Sequence, residues 1–191
     1  MTNPTLHRKL VRHYDEPGHA HELTWSCYQR QPLLIEGRRC ALLSQCIDRA
    51  VPGRGFELIA FVYMPEHVHL IVWPVEPAAT VAKLLFAIKR PFSFRVKSMI
   101  AEANSELARQ LTIRERPGKE TFRFWQEGPG FDRNITNTKT LRTAVEYVHN
   151  NPVRRGLCSS PGDWKWSSWG FYFAPDYSPD TDLPTVAGFT E

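Results

Sequence analysis

FVYMPEHVHLIVW, Phe61 to Trp73, carries two histidines, His67 and His69, inside an apolar run. Successive side chains of a strand point to opposite faces. His-Val-His therefore sets both imidazoles on one face and Val68 on the other. Val62, Leu70, Ile71 and Val72 are the bulky, mostly β-branched residues that build a buried strand. Two neutral imidazoles side by side on a rigid strand form half of a divalent-metal site. Taken alone, the pair is equally what two ordinary histidines on a half-exposed strand would give.

Working outward, Met64-Pro65-Glu66 reads as a tight connection, because Pro65 cannot donate to a ladder. Phe56 to Tyr63 and the histidine strand then form an antiparallel hairpin. Within His21 to Leu34, Leu23, Trp25 and Cys27 alternate with Thr24, Ser26 and Tyr28, which predicts another strand. Between these strands, Glu36 to Val51 places Cys40, Leu43, Ile47 and Ala50 at helical spacing. Pro52-Gly53 and Gly55 close that helix.

Downstream, Thr80 is placed to cap a helix whose apolar face is Val81, Leu84, Leu85 and Ile88. Pro91 is expected to end or kink it near Lys89-Arg90, before a helix-like continuation. Thr112 to Glu120 reads as a charged loop, Thr121 to Gln126 as a fourth strand, and Glu127 to Asn134 as a Gly/Pro loop. Thr138 to Asn151 is the last long helix. The order β-α-β-β-α-β-α predicts an α+β fold. It is a ferredoxin-like split βαβ antiparallel sheet with helices on one face, plus a C-terminal helix. Residues 1–20 read as a polar leader, 21–173 as the domain, and 174–191 as a flexible tail with little to bury.

The chain has 191 residues, 42% of them hydrophobic, and a net charge of +4. That size suits one well-buried domain, and the charge permits a nucleic-acid partner without demanding one. Cys27, Cys40, Cys46 and Cys158 form no CxxC pair and read as reduced thiols. No stretch looks like a signal peptide or a membrane span, which points to the cytoplasm.

In the last helix, Leu141, Ala144, Val145 and Val148 form the core-facing stripe. At the helical repeat, Tyr147 falls about 115° and Asn151 about 75° from the stripe centre, so both sit on its flank. Separately, Tyr147 is an ordinary edge aromatic and Asn151 an ordinary cap before Pro152. Together with the histidine pair they make a fuller pattern. YMPEHVHLIVWP followed by EYVHNNPVRRGL resembles the HUH-type single-tyrosine transposases, most closely the branch associated with repetitive extragenic palindromes (REP). The likeness runs from about Glu22 to Trp169.

The resemblance implies Tyr147 as nucleophile and His67, His69 and Asn151 as ligands of Mg²⁺ or Mn²⁺, with Asn150 the neighbour that could exchange roles with Asn151. It implies cleavage and rejoining of single-stranded or hairpin DNA through a 5′-phosphotyrosine, by a monomer or a homodimer. Lys89, Arg90, Arg95, Arg154 and Arg155 are candidate phosphate contacts, and each is equally an ordinary solvated cation. Trp125, Trp164, Trp166 and Trp169 offer faces for bases or for packing. Glu66 and Glu146 are candidates to support the site from behind or to move a proton, with surface solvation the more expected role. The alternatives are a catalytically silent DNA-binding protein on the same fold, and a hydrolase using the histidines and water.

Overall fold

The protein is described by a computed structural model covering residues 13–189. Its strands are β1 (Ala20–Ser26), β2 (Phe56–Met64), β3 (His67–Pro74), β4 (Thr112–Arg116), β5 (Lys119–Phe122) and β6 (Phe131–Ile135). Its helices are α1 (Gly37–Ala50), α2 (Val81–Ala103), α3 (Ser105–Gln110), α4 (Thr138–His149), α5 (Asn151–Arg154) and α6 (Trp169–Phe173). Four strands make one antiparallel sheet in the order β2-β3-β1-β6, and β4 pairs with β5 apart from it. The expected split βαβ sheet is therefore present: α1 crosses from β1 to β2, and β3 lies between them.

Alternation along the strands assigns the two faces. Leu23, Trp25, Phe61, Tyr63, Val68, Leu70 and Val72 point toward α1 and α2 and join the larger core. Ala20, Val62, Ile71 and Ile135 point the other way, where Leu141, Ala144, Val145 and Val148 of α4 cover them. Each fully buried Leu, Ile or Val contributes about 1.5–3 kcal/mol, so these two stripes fix the register of the central strands. A slip of one residue in β3 would bury both histidines under α1 and α2. α4 thus lies on the face opposite α1 and α2.

The fourth strand differs from the expectation. Thr121 to Gln126 is not in the main sheet: its first residues end β5, which forms a hairpin with β4 through the stretch expected to be a charged loop. Phe124 and Trp125 then enter the core beside the end of β1, where Trp125 bridges Cys27 and the Gln126 amide donates to the Ser26 carbonyl. The true sheet strand is β6, inside and just beyond the Gly/Pro stretch. Only Ile135 of β6 is buried, so its sequence, FDRNI, carries almost no apolar alternation.

Pro91 does not end its helix either. α2 runs through it, because Phe92, Val96 and Ile100 continue the buried stripe of Val81, Leu84, Leu85 and Ile88. Burial of that stripe outweighs one lost backbone hydrogen bond. Residues 174–189 also have more to bury than their composition suggests. Leu183 and Val186 pack on the larger core, Phe189 on the smaller one, and the Ala187 amide donates to the Leu58 carbonyl at 2.9 Å. Residues 1–12 of the leader lie outside the described residues, but Asp15 accepts from the Val81 amide at the start of α2. Among the described residues, no helix is long and apolar enough to cross a membrane.

Candidate active site

β3 presents His67 and His69 on the α4 side, both 6% exposed. Their Nε2 atoms are 2.9 Å apart, and the Asn151 side-chain nitrogen is 3.1 Å from His69 Nε2. The outer nitrogens are engaged elsewhere: His67 Nδ1 with Glu66 Oε1 at 3.1 Å, and His69 Nδ1 with Thr24 Oγ1 at 2.8 Å. With Nδ1–H donating outward on both rings, the two Nε2 lone pairs face each other. A carboxylate or hydroxyl behind an imidazole is the usual device for fixing that tautomer.

Burial, and then the neighbouring His67, push the His69 imidazole down to about 3. Burial also lowers His67, against the opposing pull of Glu66. For Glu66 burial works upward, but His67, a backbone amide and Arg155 outweigh it and hold the carboxyl below its ordinary value. The site at neutral pH is therefore two neutral imidazoles backed by one carboxylate.

These residues fit a divalent cation. Two lone pairs 2.9 Å apart repel unless a proton or cation lies between them, and bonds of about 2.1 Å to a shared ion bring neighbouring ligands to about 3 Å. An amide flip, which the geometry leaves equivalent, turns Asn151 Oδ1 to the same point. Among the described residues no cluster of three His, Cys, Asp or Glu side chains is suited to a metal, and the Asn151 amide is the further donor beside the two histidines.

Tyr147 lies near the end of α4. Its ring centroid is 6.2 Å from that of His69, edge to face, and the residue is 40% exposed. α4 closes at His149, and Asn151 opens the next turn, α5, rather than ending the helix as expected. Asn150 is exposed, with its side-chain nitrogen donating to the Glu146 carbonyl, while Asn151 is buried at the histidines. The Arg154 guanidinium sits 4.8 Å from the centre of the Tyr147 ring. Arg155 pairs with Glu66 at 3.0 Å, and Arg30 approaches the same carboxylate at 3.6 Å.

The other expected contacts are not brought here. Lys89, Arg90 and Arg95 lie on α2, across the sheet: Lys89 over the Trp25 ring, Arg90 over Phe86, Arg95 against Gln45. Trp125 is buried with Phe92 and Phe124, Trp166 stacks on Tyr63, and the Trp164 indole donates to the Tyr63 carbonyl. Glu146 is exposed, as expected, but Glu66 is a buried partner of His67 rather than a surface carboxylate. Thr24 and Arg30 were not anticipated. Thr24 was legible only as one of an alternating set, and its meeting with His69 depends on the β1–β3 register, which pairs the two residues.

Comparison with known proteins agrees with the motif resemblance. The family described as "Transposase IS200 like" matches residues 18–151. The REP-associated tyrosine transposase of Escherichia coli is 28% identical over 67% of this chain. A putative REP-associated tyrosine transposase of Haemophilus influenzae is 26% identical over 60% of it. The matched segments span only 63% and 59% of those relatives. A solved REP-associated tyrosine transposase bound to a REP hairpin shares the fold, with a TM-score of 0.66 at 23% identity, over 96% of this chain and 99% of that one.

Proposed function

The chain belongs to the IS200-like transposase family, and we propose that it cleaves and rejoins single-stranded DNA at hairpin-forming, REP-like sites through a covalent tyrosine intermediate. The observation that carries this reading is the meeting of His67 and Asn151 at His69 Nε2, 2.9 and 3.1 Å from it, beside the half-exposed ring of Tyr147.

A phenol is a weak nucleophile near neutral pH, so the phosphate has to be held and its charge offset as the new bond forms. His67, His69 and Asn151 would hold Mg²⁺ or Mn²⁺, which supplies charge neutralisation at the scissile phosphate. Glu66 and Thr24 keep the imidazole lone pairs turned inward. Arg154 and Arg155 receive phosphate oxygens next to the nucleophile.

Tyr147 Oη attacks phosphorus, its proton passing to water, and the bond from phosphorus to the 3′-oxygen breaks. The 3′-oxygen leaves as a hydroxyl after taking up a proton, and the 5′-phosphate stays on Tyr147. The linkage conserves the phosphodiester bond energy, so a later attack by a 3′-hydroxyl rejoins strands without ATP. Tyr147 and the histidines meet within the chain, which supports an active site completed in cis, in a monomer or a homodimer. The DNA substrate implies a cytoplasmic site of action.

The test is incubation of the protein with single-stranded hairpin oligonucleotides and Mn²⁺ or Mg²⁺, resolved on a denaturing gel. The reading expects a metal-dependent, denaturation-resistant adduct. Cleavage that persists in Tyr147→Phe would instead favour hydrolysis by water, and binding without cleavage would favour a silent DNA-binding protein.

A further inference from the structure

β6 and the sheet register place an aromatic beside the candidate active site that neither mechanism nor core uses. Phe131 pairs with Thr24 on β1, and Thr24 pairs with His69 on β3. Paired residues share a face, so Phe131, Thr24 and His69 form one row across three strands. Two strand spacings set Phe131 about 10 Å from His69 along that row. Phe131 is 53% exposed, although Ile135 on the same face of the same strand is buried. α4 packs over β2 and β3, leaving this end of β6 open on the active-site side.

A glycine and an ion pair set the strand that carries it. Gly130, immediately before it, has φ +83°, and a Cβ at that position would collide with the Thr24 carbonyl oxygen. Only glycine permits the close approach that starts β6 opposite Thr24. Next along this face, Arg133 is half exposed and pairs with the buried Glu22. Edge strands are ordinarily blunted with charged or polar side chains, and Asp132, Arg133 and Asn134 follow that habit. Phe131 does not.

An exposed ring in this position suits an unpaired nucleobase, which stacks on aromatic faces whatever its sequence. Resting on the DNA-cleavage reading above, we propose that Phe131 is the platform for a base flanking the scissile phosphate. Stacking that base holds the phosphate in register with Tyr147 and the histidines, while Arg133 meets the backbone of the same nucleotide. Phe131 is thus a positioning residue: it touches DNA but not the reacting atoms.

The test uses the full chain with Tyr147→Phe, so that DNA stays uncut, and hairpin oligonucleotides carrying 2-aminopurine at successive single-stranded positions. One position should be strongly quenched on binding. That quench should be lost on adding Phe131→Ala, kept with Phe131→Trp, and accompanied by unchanged circular dichroism and melting temperature. In the protein with Tyr147 intact, Phe131→Ala should lower adduct yield at least fivefold below saturation, and an abasic site at the quenched position should add no further loss. A quench profile indifferent to Phe131→Ala, or no quenched position at all, would overturn the platform. Failure of the protein with Tyr147 intact to form an adduct while the Phe131-dependent quench persists would remove the cleavage reading and leave the stacking site standing.

Discussion

Asn151 lies 3.1 Å from His69 Nε2 across 82 residues of sequence, and its neighbour Asn150 points away to the Glu146 carbonyl. One side chain of the Asn-Asn pair is therefore built into the site and the other is not. Asn151→Ala should weaken Mn²⁺ binding by about tenfold or more, since it removes one of three ligands. Asn150→Ala should leave it within about twofold. Isothermal titration of the DNA-free protein decides between them; equal losses would contradict the assignment.

Glu66 and Thr24 hold the outer nitrogens of the two histidines. Partners of this kind typically contribute about 10–100-fold in metal affinity. Glu66→Gln keeps a hydrogen-bond acceptor but loses the charge, and Thr24→Val loses the hydroxyl that meets His69 Nδ1. We expect each to lower Mn²⁺ affinity in that range without abolishing binding. His67→Ala should reduce it further than either.

Lys89 should reveal itself through pH. Burial pushes its ammonium down to about 8 in the folded protein, against an ordinary value of 10.5. Below pH 8 the fold carries the whole cost of a desolvated charge. Between about 8 and 10.5 the folded state releases the proton first, so the unfolded state binds more protons and stability rises with pH. Lys89→Met should therefore be more stable than the parent at pH 7, and the difference should shrink by pH 10. Urea denaturation at both pH values measures it. A difference that does not change would show that Lys89 keeps its charge in the fold.

Pro91 sits exposed inside α2, where it supplies no amide to the helix. Pro91→Ala restores that donor and relieves the clash with the preceding turn. The gain should be about 1–3 kcal/mol, less than the full interior penalty because proline also restricts the unfolded chain. Chemical denaturation would show a higher midpoint with an unchanged slope.

The sequence disclosed what is periodic or chemically unusual. Strand alternation put His67 and His69 on one face and the helical repeat put Tyr147 and Asn151 on one flank, while their proposed roles came from the motif resemblance. The residues that complete the site were not legible, since their partners depend on strand register. Thr24 meets His69, and Phe131 meets Thr24, only once β1 lies between β3 and β6. β6 itself was hidden because an edge strand with one buried side chain has no hydrophobic signature. Conversely, Phe122, Phe124 and Gln126 alternate with Arg123 and Trp125 like a strand, yet only the end of β5 and a single bridge from Trp125 to Cys27 form there. The α2 cations lie across the sheet from the histidines, a placement that charge alone does not reveal.

In the proposed reaction Tyr147 carries the phosphate. The direct measurement is mass spectrometry of the protein after reaction with a hairpin oligonucleotide and Mn²⁺, followed by nuclease trimming and proteolysis. A nucleotide mass on the Tyr147 peptide, with fragment ions placing it on the phenol and a free 3′-hydroxyl on the released strand, is the predicted result. Cleaved DNA with no modified peptide, or a nucleotide on another residue, would contradict it.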